Sequence, residues 1–143
     1  MSIESVRIPA RHDGFALGGE LHLPDGAPRA CALIAGAMAV RMRFYSPFAQ
    51  FLAGQGIAAL TLDYRGVGAS RPQGSLKGFV AHFHEWAEKD LAAGADLLGQ
   101  RFPGLPLFWI GHSGAQRGAP AAAPRADRTR VRGSAPRAPL DDP

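Results

Sequence analysis

The sequence predicts an α/β fold, and three observations carry that reading. Residues 30–34 (Ala-Cys-Ala-Leu-Ile) and 57–62 (Ile-Ala-Ala-Leu-Thr-Leu) are continuous apolar runs, the pattern of strands buried on both faces. The first run ends in a loop of small residues, the second at Asp63 and a Gly-rich turn. A helical segment follows the first run and another precedes the last strand, and such alternation implies a parallel sheet with helices on both faces. At 143 residues and 46% apolar content, the chain has room for one domain with an ordinary core.

The elements follow in order. Residues 3–8 alternate apolar and polar, Pro9 stops them, and residues 15–23 alternate again after the turn-forming Asp13-Gly14, so an antiparallel hairpin opens the chain. The buried strand over 30–34 leads into Ala35-Gly36-Ala37. A helix should start with Ser46 as its N-cap and Pro47 at the first helical position, with Phe48, Phe51 and Leu52 inward, and close at Gly54 or Gly56. The strand over 57–62 ends at Asp63 and a Gly-rich turn. Ala87, Leu91, Ala95, Leu98 and Phe102 then fall at helical spacing, with Glu88, Lys89, Asp96 and Gln100 opposite, which predicts an amphipathic helix over 84–102. Pro103-Gly104 ends it, and a last strand occupies 105–110. The predicted order is β-β-β-α-β-α-β.

The chain divides at Ser113. Residues 1–113 carry 10 Lys/Arg, 9 Asp/Glu and all 12 aromatic residues; residues 114–143 carry 6 Arg, 3 Asp and no aromatic residue. The tail therefore supplies most of the +4 net charge. Of its 30 residues, 19 are Ala, Arg or Pro, and only Val131 and Leu140 are sizeable aliphatics, which cannot cover a sheet. Its arginines lack the aromatic platforms of a nucleic-acid site, so no nucleic-acid partner is expected. Cys31 is the sole cysteine and forms no intrachain disulfide. With no secretory leader and no apolar run of spanning length, no membrane association is expected and a cytoplasmic location follows.

The chemistry sits where the last strand runs into Gly111-His112-Ser113-Gly114-Ala115. An apolar strand entering Gly-x-Ser-x-small encodes a strand-to-helix nucleophile elbow, whose small residues let a tight turn lift the serine hydroxyl clear. Ser113 is the candidate nucleophile. Together with Ala35-Gly36-Ala37-Met38 after the third strand and Asp63-Tyr64-Arg65-Gly66-Val67-Gly68-Ala69-Ser70 after the fourth, this motif gives the chain up to Ser113 a marked resemblance. It resembles the α/β-hydrolases, most closely the serine-aminopeptidase-like branch of small bacterial hydrolases.

The resemblance implies an α/β-hydrolase fold that carries out acyl transfer from a small-molecule ester or amide to water. Ser113 attacks the carbonyl, and two backbone N–H groups hold the oxyanion: that of Gly114, and that of Ala37 or Met38. No metal or organic cofactor is implied. The segment 63–70 reads as architecture, with Gly66 and Gly68 making a turn and Asp63 and Arg65 bracing loops.

The chain departs from the family pattern downstream. A hydrolase of this fold takes its acid and then its histidine from loops after the nucleophile, but no histidine follows His112 and the later acids, Asp127, Asp141 and Asp142, lie in the Arg/Pro-rich tail. Two domains of organisation are expected: residues 1–113 as the front half of the hydrolase, truncated after its fifth strand, and residues 114–143 as a low-complexity tail. The tail has the composition of an out-of-frame translation of GC-rich DNA and equally that of a disordered basic segment. The expected product is an inactive fragment, poorly soluble because its last strand is an apolar edge. Alternative readings are a non-catalytic half-domain completed by a partner and a basic-tailed binding protein. The pair His82 and His84 with Glu85 has poor spacing for a metal site, and His12 and His22 lie too early in the fold to be the general base. Substrate specificity and oligomeric state stay open.

Overall fold

A computed structural model describes residues 1–37, 40–72 and 81–113. Met38, Gly114 and the rest of the tail, for which roles are expected above, lie outside these residues. The described strands are β1 (Ser2–Pro9), β2 (Ala16–Leu23), β3 (Ala30–Ala35), β4 (Ile57–Leu62) and β5 (Leu107–Gly111). They form one five-stranded sheet in the order β1-β2-β4-β3-β5. β1 and β2 pair antiparallel, as does β2 with β4, whereas β3 pairs parallel with both β4 and β5. The sheet is thus mixed: an antiparallel opening hairpin joined to a parallel core.

Period-two alternation explains why the interior strands are apolar throughout. Cys31, Leu33 and Ala35 of β3, with Ala58, Leu60 and Leu62 of β4, pack into one core beneath α3 (Ala92–Arg101), against Leu91, Ala92, Ala95 and Leu98. Ala32, Ile34 and Ala59 point the other way, into a second core with Tyr45, Ala49 and Leu52 beneath α1 (Ser46–Gly54). Leu33 and Leu60 are wholly buried, and removing either side chain to Ala costs about 2–5 kcal/mol at such sites.

Two helices differ from expectation. A 3-10 turn, Met42–Tyr45, runs directly into α1, so Ser46 already has helical dihedrals and Tyr45 occupies the N-cap position without a side-chain cap. The inward face of α1 is Ala49, Leu52 and Ala53, of which Ala49 and Leu52 pack with Ala32, Ile34 and Ala59. Phe48 and Phe51, expected inside, are exposed together with Phe44. The second helix begins with α2 (Phe83–Glu85), passes through a π-helical stretch, Trp86–Leu91, and continues as α3. A π turn admits an extra residue, so the inward set is broader than a 3.6 period predicts and includes Asp90 as well as Leu91.

β5 starts at Leu107 rather than Leu105. Pro106 has no N–H for a ladder, and its carbonyl accepts from the Cys31 N–H at 2.9 Å just before regular pairing begins. At the edge of the described sheet, β5 is half-buried, with Phe108 exposed and Trp109 Nε1 buried without a hydrogen-bond partner among the described residues.

Candidate active site

The parallel register of β3 and β5 decides where the chemistry-bearing loops meet. Ile34 pairs with Ile110 and Ala35 with Gly111, so the two strands end level and their following loops leave the sheet side by side. The His112 N–H extends the ladder by one bond, donating to the Ala35 carbonyl at 3.0 Å. The next residue, Ser113, turns into left-handed backbone at φ +60°, with its side chain exposed. A non-glycine residue in that region pays roughly 1–2 kcal/mol of Cβ crowding, and strain of this kind concentrates at functional turns.

Opposite Ser113 lies the Gly36-Ala37 loop, held by two phenols. Tyr64 Oη donates to the Gly36 carbonyl at 2.6 Å, and the Ala37 N–H donates to Tyr45 Oη at 2.7 Å. Burial pushes the Tyr64 hydroxyl above its ordinary pKa, so it remains a proton donor. Tyr45 Oη also lies 2.9 Å from His112 Nδ1. Of the residues expected to act, Ser113 and Ala37 are therefore on adjacent loops, and the Ala37 amide already has a phenol as its acceptor.

The segment 63–70 frames the site. Asp63 accepts from the Met42 N–H at 2.7 Å through Oδ1 and from the Ala69 N–H at 2.9 Å through Oδ2. Gly68 has φ +46°, and a Cβ there would collide with the same carboxylate. Ser70 Oγ donates to the Asp63 carbonyl at 2.5 Å and accepts from the Gly18 N–H at 2.8 Å. Arg65 is buried between Asp90 and Asp13, with its guanidinium 5.0 Å above the Phe15 ring. Hydrogen bonding from Arg65 holds the Asp13 carboxyl well below the usual range. Asp63 and Arg65 thus brace neighbouring segments, and among the described residues both reach the candidate loops through other residues.

Elsewhere, His82 and His84 stack with ring centroids 5.7 Å apart, and among the described residues no group of three or more His, Cys, Asp or Glu is placed to hold a metal ion. Nor is any helix among them long and apolar enough to cross a membrane. Burial pushes the Cys31 thiol up to about 11, which makes it a core residue rather than a nucleophile. Sequence patterning overlooked Tyr45 and Tyr64 as loop anchors. Tyr64 at least lies inside a recognised motif, whereas Tyr45 had only its position just before Ser46-Pro47.

Solved structures share this fold. A thermostable carboxyl esterase from Bacillus coagulans superposes with a TM-score of 0.62 at 17% identity, over 78% of this chain and 36% of its own. An α/β serine hydrolase without a lid from Xanthomonas campestris gives 0.67 at 19% identity, over 93% of this chain and 67% of its own. The esterase domain of a Rhodothermus marinus protein gives 0.59 at 26%, over 82% and 43%. The chain thus spans about a third to two thirds of the length of these structures. No curated protein matches the sequence. Residues 26–136, which include both candidate loops and run past Ser113, match the serine aminopeptidase S33 family, and the chain belongs to that family of α/β-hydrolases.

Proposed function

We propose that this chain carries the nucleophile half of a serine hydrolase acting on a small-molecule ester or amide. The observation that carries the reading is Ser113, in left-handed backbone at the end of the strand beside β3. Its Oγ attacks the substrate carbonyl carbon, a base takes the hydroxyl proton, and the carbonyl oxygen gains negative charge. Collapse of that intermediate expels the alcohol or amine, and water then releases the acid from the acyl-enzyme. Backbone N–H groups stabilise the oxyanion, one from Gly114 and one from Ala37 or Met38. If the Ala37 N–H stays with Tyr45, the loop donor is Met38.

The proton acceptor is the missing part. No histidine follows His112 in the sequence, and the Nδ1 of His112 faces Tyr45. The chain alone is therefore expected to phosphonylate slowly at Ser113 and not to turn over esters. The test is a fluorophosphonate incubation with peptide mass spectrometry, against Ser113→Ala. Slow labelling confined to Ser113 supports the reading, and labelling absent from Ser113 after prolonged incubation overturns it. We place the protein in the cytoplasm, where the lone Cys31 stays reduced. For residues 114–143 the reading is an Ala/Arg/Pro-rich segment without a triad histidine. Translating the other two frames beyond codon 113 checks whether a hydrolase continuation lies there.

A further inference from the structure

Beyond the ends of β3 and β5 only two described links join the Gly36-Ala37 loop and its strand to the nucleophile turn. One is the backbone bond from the His112 N–H to Ala35. The other is the Tyr45 side chain, which accepts from the Ala37 N–H at 2.7 Å and meets His112 Nδ1 at 2.9 Å. Its ring also stands edge-on to His112, with centroids 5.8 Å apart at 75°, and it is 8% exposed. A buried phenol that has accepted one N–H still has its own proton to place. The acceptor in reach is His112 Nδ1, so a neutral His112 carries its proton on Nε2.

We propose that Tyr45 is a positioning residue for acyl transfer: its hydroxyl fixes the oxyanion loop after β3 against the nucleophile turn after β5. This rests on the reading of Ser113 as nucleophile. The phenol is itself well placed to hold a geometry. It ends the 3-10 turn whose first N–H, that of Met42, is tied to Asp63, so the braced segment 63–70 reaches the site through Tyr45. From the other side Tyr64 fixes the carbonyl of the same Gly36–Ala37 peptide unit. With both polar ends of that unit held, the Gly36–Ala37 peptide plane has one orientation. Acyl transfer demands this, because oxyanion donors and nucleophile must be placed within a fraction of an ångström.

The test compares the two-step kinetics of a fluorophosphonate on the full chain, wild type against Tyr45→Phe, which keeps the ring and deletes the hydroxyl. The expected result is phosphonylation of Ser113 slowed about tenfold, with the dissociation constant of the probe unchanged. By NMR, amide exchange at Ala37 accelerates and the His112 Nδ1 resonance moves. His112→Phe keeps an aromatic ring, removes the acceptor, and serves if Tyr45→Phe does not fold. It should slow the same step, and the double variant should be no slower than either single one. Unchanged phosphonylation overturns the proposal, and so does faster phosphonylation, which would make the phenol a blocker of the Ala37 amide. If wild-type Ser113 does not react at all, the nucleophile reading fails by itself. The Tyr45 bridge is then decided by the NMR signals alone: moved in Tyr45→Phe they support it, unmoved they overturn it.

Discussion

Arg65 and Asp90 meet through three hydrogen bonds to one carboxylate: the Arg65 backbone N–H at 2.9 Å, Nε at 2.9 Å and Nη2 at 2.7 Å. Asp90 is fully buried. Burial pushes its carboxyl upward and the three donors oppose that shift. The pair ties the turn after β4 to the π-helical stretch on the opposite side of the motif.

Removing one partner alone should be severe. Asp90→Ala leaves a buried guanidinium with, among the described residues, the more exposed Asp13 and Glu85 for compensation, and a loss of about 3–5 kcal/mol is expected in urea denaturation. Replacing both partners with apolar residues of similar volume, Arg65→Met with Asp90→Leu, should lose clearly less. Equal losses would show that the ion pair is not what the site depends on.

His22 predicts a pH dependence. It is fully buried in β2, on the face opposite Leu17 and Leu21, and neither ring nitrogen has a hydrogen-bond partner among the described residues. Burial lowers its pKa below the ordinary 6.5, only partly countered by the Glu20 carboxylate 3.7 Å away. The unfolded chain therefore binds a proton that the folded chain refuses. The stability linked to this group is present above the unfolded pKa and drains away as pH falls below it. Denaturation midpoints should decline between about pH 7 and pH 5, and His22→Leu should flatten that slope. A variant with the wild-type slope would assign the dependence to another group.

Gly36 is required by a close approach. A Cβ at that position would stand 2.6 Å from Tyr45 Cε2 and 3.1 Å from Cζ. Gly36→Ala should cost about 1–3 kcal/mol through overpacking. Tyr45→Leu, which removes the ring, should recover part of that loss in the double variant, as read by thermal unfolding. Full additivity of the two substitutions would separate the glycine from the phenol.

Ser113 should trade stability against reactivity. Glycine accepts φ +60° freely, so Ser113→Gly is expected to stabilise the chain by about 1 kcal/mol while abolishing phosphonylation. Ser113→Ala abolishes phosphonylation equally but keeps the crowded Cβ, so it should gain nothing. If both variants melt alike, the turn holds no backbone strain.

The sheet was legible because its interior strands must be apolar on both faces, and residues 30–34 and 57–62 announce that directly. Ser113 was legible because a nucleophile turn is a local pattern of small residues. What stayed hidden depends on partners distant in sequence. Tyr45 acts through His112, 67 residues later, and Asp90 through Arg65, 25 residues earlier. The start of α1 differs from the expected one for a similar reason, since the preceding 3-10 turn is anchored on Asp63 and has no side-chain cap. Hydrophobicity alone points Phe48 and Phe51 inward, but the face of α1 that meets the sheet is taken by Ala49, Leu52 and Ala53.

The π-helical stretch Trp86–Leu91 acts as a phase adjuster between two recognition events. Trp86, at its start, lies stacked on Tyr64 at 4.9 Å and 13°, and Asp90, near its end, grips Arg65. Consecutive residues of the motif are thus read by one helix only because that helix is locally overfilled. Deleting a single residue there would restore an ordinary α-helical repeat and rotate everything upstream by about 100° relative to α3. With Asp90 and Leu91 kept in register, Trp86 would swing off Tyr64, and Tyr64 is the phenol that fixes the Gly36 carbonyl. A one-residue length change some fifty positions from the Gly36–Ala37 peptide would be transmitted to it through a single pair of stacked rings.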